Sequence, residues 1–335
     1  MKKTLVYCLL ILPAIMVCKT GLAQDPHFSQ YFTSPSSVNP ALTGKGVEDW
    51  RLIGTYRAQW WGGTIAPFTT TAVSLEKSVH GSGLAKSNWG FGLSMLSDAS
   101  NSGLLKNNFV NASIAYNLDL AGDGKQQLGV GITGSYSNRM LDASKFSFQS
   151  QFGSMGFQRS ASSGDPVNIL SSNNWDMNIG AHLSSDQGKW GYAIGAAAFH
   201  LSTPSQGVYN NSTYKLDRRY TFQASIFSRT KSGNELHFSG ITDLQGNNSI
   251  FTLGALYKIK VLDETLSSIN VGVWERFGDS FYPYAGIEGK NWLFGVSYDV
   301  VSSNVSNTYN SVQSLEFSFA WKFGKHKGNR TPFMY

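Results

Sequence analysis

The chain has 335 residues, with 27 Lys and Arg against 21 Asp and Glu, 35 Gly, 9 Pro and 2 Cys. Charged residues make up only 14% and aromatic residues 13%. This composition excludes a highly charged disordered chain, and without a basic stripe it excludes a nucleic-acid partner. Both cysteines, Cys8 and Cys18, lie near the start, so the rest of the chain has no disulfide, thiol nucleophile or Cys metal site.

Met1-Lys2-Lys3 precedes an apolar run over 4–18, and Gly21-Leu22-Ala23 supplies small residues before Gln24. A basic start, a hydrophobic centre and a small-residue cleavage site are the signature of a secretory signal peptide over 1–23. Val17 is too bulky to precede a lipidated cysteine at Cys18. Loss of Lys2, Lys3 and Lys19 with the leader takes the basic count from 27 to 24, against 21 acidic residues. Beyond it no apolar run reaches the roughly 18 residues of a membrane-spanning helix, but barrel strands need only about 9–11 residues each.

Residues 24–49 contain Pro26, Pro35 and Pro40 and show neither helical nor strand periodicity. They read as an extended segment outside the wall that packs inside or across the periplasmic mouth, because Phe28, Tyr31 and Phe32 are too apolar to hang free. From Trp50 a period of two takes over. It marks fourteen candidate strands, at 50–60, 68–79, 88–98, 106–118, 126–138, 174–184, 190–202, 218–230, 234–243, 248–259, 267–277, 281–289, 291–301 and 312–323. Phe251, Leu253, Ala255, Tyr257 and Ile259 show it clearly; Leu236, Phe238 and Ile241 break register in the least regular strand.

The hairpin over 290–323 shows the architecture best. Trp292, Phe294, Val296, Tyr298 and Val300 alternate with small or polar residues, as do Leu315, Phe317, Phe319, Trp321 and Phe323. Successive strand side chains point to opposite faces, so each strand has one greasy face rimmed by aromatics and one face of Gly, Ser and charge. That pairing suits lipid outside and a wet lumen inside. The tryptophans fall near strand ends and read mostly as interfacial anchors.

Connection lengths point the same way. Short turns at 121–125, 185–189, 231–233 and 289–290 all join even to odd strands, whereas the longest links, 139–173 and 203–217, join odd to even. Outer-membrane barrels have short periplasmic turns and long external loops. The predicted fold is therefore all-β: a transmembrane antiparallel barrel of about 14 strands over 50–323, with a periplasmic tail at 324–335.

A search for chemistry finds no enzyme. None of the six histidines lies at a metal-ligand spacing from another, and no G-x-S-x-G elbow occurs. Gly90-Phe91-Gly92 and Gly129-Val130-Gly131 resemble pieces of phosphate loops, but no helix follows. Glu275, Glu288, Asp299 and Glu316 read as lumen-side acids in ordinary ion pairs, with Arg276 facing the other way. No metal or cofactor is expected. In the long link 139–173, Phe146, Phe148, Phe152, Met155 and Phe157 stand among Ser, Gln and Gly. Two readings stay open there: recognition of a protein partner, or packing on the barrel rim.

Several stretches together resemble the PorP/SprF family of type IX secretion. They are Gln24-Asp25-Pro26-His27-Phe28-Ser29-Gln30-Tyr31, Asn39-Pro40-Ala41-Leu42-Thr43-Gly44 and Tyr56-Arg57-x-Gln59-Trp60. The likeness continues through Leu128-Gly129-Val130-Gly131, Gly272-Val273-Trp274-x-Arg276-Phe277, Tyr284-Ala285-Gly286-Ile287 and Phe294-Gly295-x-Ser297-Tyr298-Asp299. The resemblance implies an outer-membrane barrel of a Bacteroidetes-type bacterium. Its role would be accessory to type IX export or gliding, or would be to hold one secreted, adhesin-like protein at the cell surface. It also implies contact with periplasmic secretion components, and it carries over no catalytic residue. Phe28, Tyr31, Phe32, Asn39 and Pro40 are the motif residues of the expected plug. The rival expectation is a transport porin for a small solute.

Overall fold

The computed structural model describes residues 25–47, 49–63, 66–80, 87–164, 169–205, 207, 215–303, 308 and 312–324. The expected leader and nearly all of the tail lie outside these residues. Fourteen strands close into one antiparallel barrel. They are β1 (Trp50–Trp61), β2 (Phe68–His80), β3 (Asn88–Ser100), β4 (Leu105–Asp119), β5 (Gln126–Asp142), β8 (Ile169–Asp186), β9 (Trp190–Phe199), β10 (Arg219–Arg229), β11 (Glu235–Gln245), β12 (Asn248–Lys260), β13 (Leu266–Arg276), β14 (Ser280–Gly289), β15 (Trp292–Val301) and β16 (Gln313–Phe323). A two-residue hairpin, β6 (Phe152–Gly153) with β7 (Gly156–Phe157), stands in the link between β5 and β8.

Each strand pairs with its sequence neighbour, and β16 returns to β1 with Trp50 opposite Phe323 and Arg57 opposite Glu316. Closure leaves no open edge, so the wall satisfies its own backbone groups, as a hydrocarbon environment demands. The outward face is apolar: Leu93, Met95, Val130, Ile194, Phe238 and Leu253 are all exposed. No helix among the described residues is long and apolar enough to cross a membrane; the strands are the crossing elements. The inward face carries Arg51, Arg57, Glu76, His182, Asp299 and Glu316, all buried.

The two ends differ. The near end, where Trp50 and Phe323 lie, has the tight turns. One is set by Asp119, whose carboxylate accepts from the Gly122 and Gly124 N–H groups at 3.0 and 2.8 Å. Both glycines sit at positive φ, 74° and 78°, where a side chain is strained. The far end has the long links at 143–168 and 200–218, along with short ones at 246–247 and 277–279.

The structure corrects four readings. The β5–β8 ladder runs on to Asp142 opposite Ile169, past the expected ends at 138 and 174. The polar residues on its outer face there had masked the strand. On β13 the faces are reversed: Glu275 points outward, whereas Arg276 is buried in the lumen. Trp274 is likewise 1% exposed and lumenal, not an interfacial anchor like Trp89, Trp175, Trp190 and Trp321. Finally, β11 keeps an unbroken register with β10 and β12, because Leu236 and Phe238 face out while Ile241 faces in.

Candidate functional site

The lumen is filled by the chain's own residues 25–47. Its prolines shape this segment. Pro35 and Pro40 occupy the first positions of two short helical turns, Pro35–Val38 and Pro40–Leu42, where a missing N–H costs nothing. Asn39 caps the second turn, its side-chain oxygen accepting from Ala41 N at 2.9 Å. The segment lies outside the wall as expected, but it is a string of short turns rather than extended.

Its contacts run the length of the barrel. At the near end the Gly44 N–H donates to Glu76 at 3.1 Å, and Glu76 is in turn paired with Arg51. Lys45 Nζ donates to Ser184 Oγ at 2.5 Å, and burial pulls its pKa down to about 7. Further in, Asn39 donates to the main-chain oxygens of Ala181 and Ala196 at 2.9 and 3.3 Å. Glycines of the wall make room here: a methyl group built on Gly90, Gly131 or Gly180 would overlap Thr43, Pro40 or Asn39 respectively.

On the opposite side Phe32 enters an aromatic pocket. Its ring stacks on Trp274 at 4.7 Å and meets Tyr284 edge-on at 5.2 Å, with Tyr282, Leu256, Ile53 and Leu293 completing the cluster. Tyr31 and Trp274 both donate to Ser239 Oγ, at 2.7 and 3.2 Å. Burial raises the Tyr31 hydroxyl to about 12, so it remains a donor.

Above that pocket lies a charged cradle. The Ser29 and Gln30 N–H groups donate to the two carboxylate oxygens of Glu316 at 2.7 and 2.8 Å. Arg57 donates to the main-chain oxygen of His27 at 2.5 Å and to Asp299 at 3.0 Å. The same Asp299 oxygen accepts from Ser29 Oγ at 2.7 Å and faces Arg276 at 3.4 Å. Charge-assisted bonds of this kind are the stronger class.

At the far end Asp25 meets His200 at 2.6 Å and Arg219 at 3.3 Å, and its N–H donates to Gln245 at 3.3 Å. Asp176 holds the other ring nitrogen of His200 at 2.6 Å. Burial works to raise the Asp25 carboxyl, but the charges of His200 and Arg219 outweigh it and hold it well below the ordinary range. Burial likewise opposes charge on His200, yet Asp25 and Asp176 prevail and raise it to about 9. Among the described residues no cluster of His, Asp and Glu is arranged to hold a metal.

A cavity remains at each mouth, and a small pocket between them, beside Tyr31, Val38 and Ser225, shares Tyr31 and Val38 with the far cavity and Ser225 with the near one. Phe28, Tyr31, Phe32, Asn39 and Pro40 thus all lie in the lumen. Phe146, Phe148, Phe152, Met155 and Phe157 gather apart from them, in the link at the far end. Phe152 faces Phe157 across the small hairpin at 5.2 Å, Phe146 meets Phe148 at 6.2 Å, and Met155 at the tip is 88% exposed. The partners Arg57, Arg276 and Glu76 were not expected from the sequence. The signal for the first two was present, because both lie within the motif stretches around Tyr56 and Trp274.

Solved structures similar to this chain are outer-membrane barrels of low identity. A Pseudomonas aeruginosa FadL homologue is 10% identical over 87% of this chain and 94% of that one, with a TM-score of 0.46. The CymD monoaromatic hydrocarbon channel is 9% identical over 88% and 94%, with a TM-score of 0.49. The transport unit of the Escherichia coli autotransporter AIDA-I is 11% identical over 90% and 100%, with a TM-score of 0.40. No curated protein sequence matches. The family model for the type IX secretion system membrane protein PorP/SprF matches residues 20–321, from before the lumenal segment to the last strand. With a closed barrel, an apolar outer face and that match over most of its length, the chain belongs to the PorP/SprF family of type IX secretion system membrane proteins, and its place is the outer membrane.

Proposed function

We propose that this protein is a non-catalytic accessory component of type IX secretion that supports export, or surface anchoring, of one cognate secreted protein. The near end faces the periplasm, where the tail over 324–335 and the tight turns meet the secretion machinery, and the leader over 1–23 is removed. Residues 24–49 act as a resident plug. The link carrying Phe146, Phe148, Phe152, Met155 and Phe157 is a platform for the secreted partner, since exposed aromatics on a Ser- and Gln-rich backbone suit protein recognition.

The observation that carries this reading is the filled lumen. A solute porin needs a wide wet path, whereas here residues 25–47 occupy the lumen between the cavities at the two mouths and leave a small pocket beside Tyr31 and Val38. Deleting 143–164 and measuring surface display of proteins co-purified from native membrane tests the platform. Loss of one partner with an intact, heat-resistant barrel is expected; unchanged display and co-purification would remove the adaptor role. Large steady conductance or solute uptake in reconstituted vesicles would favour a porin instead.

A further inference from the structure

We propose that the chain threads its own barrel: the segment enters at the periplasmic mouth and carries the processed amino terminus through to the external vestibule, where a surface partner can reach it. The inference rests on the orientation given above, and its test reports that orientation separately.

The contacts fix the direction of travel. Gly44 lies against Glu76, Lys77 and Gly90, in the near halves of β2 and β3. Asn39 and Pro40 lie beside Gly131, Gly180 and Ala181, five or six residues in from the near ends of β5 and β8. Ser29 and Gln30 meet Asp299 and Glu316, close to the far ends of β15 and β16. His27 meets Asp243, and Asp25 meets Gln245, His200 and Arg219, all at the far ends of β9, β10 and β11. From residue 47 at the near end to residue 25 at the far end the chain spans the wall through several turns, with Ser36, Ser37 and Val38 also bordering the far cavity. A strand of eleven residues rises about 36 Å at 3.3 Å per residue, a distance that 23 residues in short turns can span.

The far cavity receives that end. Asp25, Pro26, His27 and Phe28 line it. Its opposite wall is mostly polar, with Ser94, Asn107, Asn111, Ser135, Asn174 and Asn178, and also carries Arg139 and Asp176. Asp25 and Pro26 therefore face the external vestibule, not the periplasm.

The mature chain offers a clean test, because both natural cysteines, Cys8 and Cys18, lie in the leader. Single variants Pro26→Cys, Met155→Cys and Lys125→Cys are treated on intact cells with a small, charged, membrane-impermeant thiol reagent, then again after outer-membrane permeabilisation. Met155→Cys reports the external side and Lys125→Cys the periplasmic turn. Labelling of Pro26→Cys together with Met155→Cys in intact cells, at least tenfold faster than Lys125→Cys, is expected. Labelling of Pro26→Cys only after permeabilisation, or in neither condition, overturns the threading. Inverted behaviour of the Met155 and Lys125 variants overturns the orientation itself.

Discussion

Truncating Phe32 to alanine should unseat the lumenal segment and leave the wall standing. The ring is 4% exposed, stacked on Trp274 at 4.7 Å and set edge-on against Tyr284 at 5.2 Å. A buried aromatic side chain removes roughly 150–250 Å² from water. At about 25 cal/mol per Å² this is roughly 4–6 kcal/mol, and measured Phe→Ala substitutions in cores cost about 3–5 kcal/mol. The lower figure applies here, because a detached ring stays near apolar groups within the lumen. About 3 kcal/mol is still some two orders of magnitude in the ratio of seated to unseated segment. Amide exchange read by mass spectrometry on the detergent-solubilised protein resolves the effect. The peptide covering 28–34 should exchange about a hundredfold faster in Phe32→Ala, while a β12 peptide keeps its protection, since local opening is reported separately from global unfolding. Exchange of 28–34 within twofold of wild type would refute the claim that the aromatic pocket anchors the segment.

Gly180→Val should also displace the segment, because the new side chain would overlap Asn39; a rise in single-channel conductance checks this, with Gly134→Val as control, since nothing lies within 4 Å there. Arg57→Met leaves Asp299 and Glu316 beside each other with half their compensation and should cost about 3–5 kcal/mol, read as earlier thermal unfolding; adding Glu316→Leu should restore part of it. The contact of Asp25 with His200 should weaken as pH rises. His200 is raised from 6.5 to about 9, so its contribution of about 3 kcal/mol is complete below pH 6.5 and lost on passing pH 9. The protection of residues 25–28, taken relative to the intrinsic base-catalysed exchange rate, should fall across that window, and His200→Gln should abolish the fall.

Period-two alternation made the wall legible. In β12 each of Phe251, Leu253, Tyr257 and Ile259 faces outward as the pattern requires. The same rule misplaced Trp274, since an aromatic facing into the lumen obeys the alternation as well as one facing lipid. Only its neighbours decide: Gly254 and Gly272 clear the space its indole occupies. The glycines on the inner face were legible as a pattern but not as a groove, because their partners Thr43, Pro40 and Asn39 belong to a segment with no period. The charged cradle was the least legible part. Its decisive atoms are the N–H groups of Ser29 and Gln30 and the carbonyl of His27, which no side chain announces. They meet partners as far as 287 residues away in the chain.

Anchoring and register fall to different groups in this lumen. Arg57, Arg276 and Asp299 pair among themselves on the wall, at 3.0 and 3.4 Å. If the segment left, water would rehydrate them and the Glu316 carboxylate, so the polar contacts return much of their apparent strength to solvent. The pocket of Trp274, Tyr282 and Tyr284 has no such recourse, because emptying it wets apolar surface with nothing gained. The buried apolar side chains of the segment, Phe32 with Phe28, Leu42 and Val47, therefore supply most of the holding free energy. The cradle sets position: two N–H groups on the two oxygens of one carboxylate tolerate no slip of even one residue. Substitutions in the aromatic pocket should thus change how often the segment is seated, whereas substitutions at Glu316 should change where it sits.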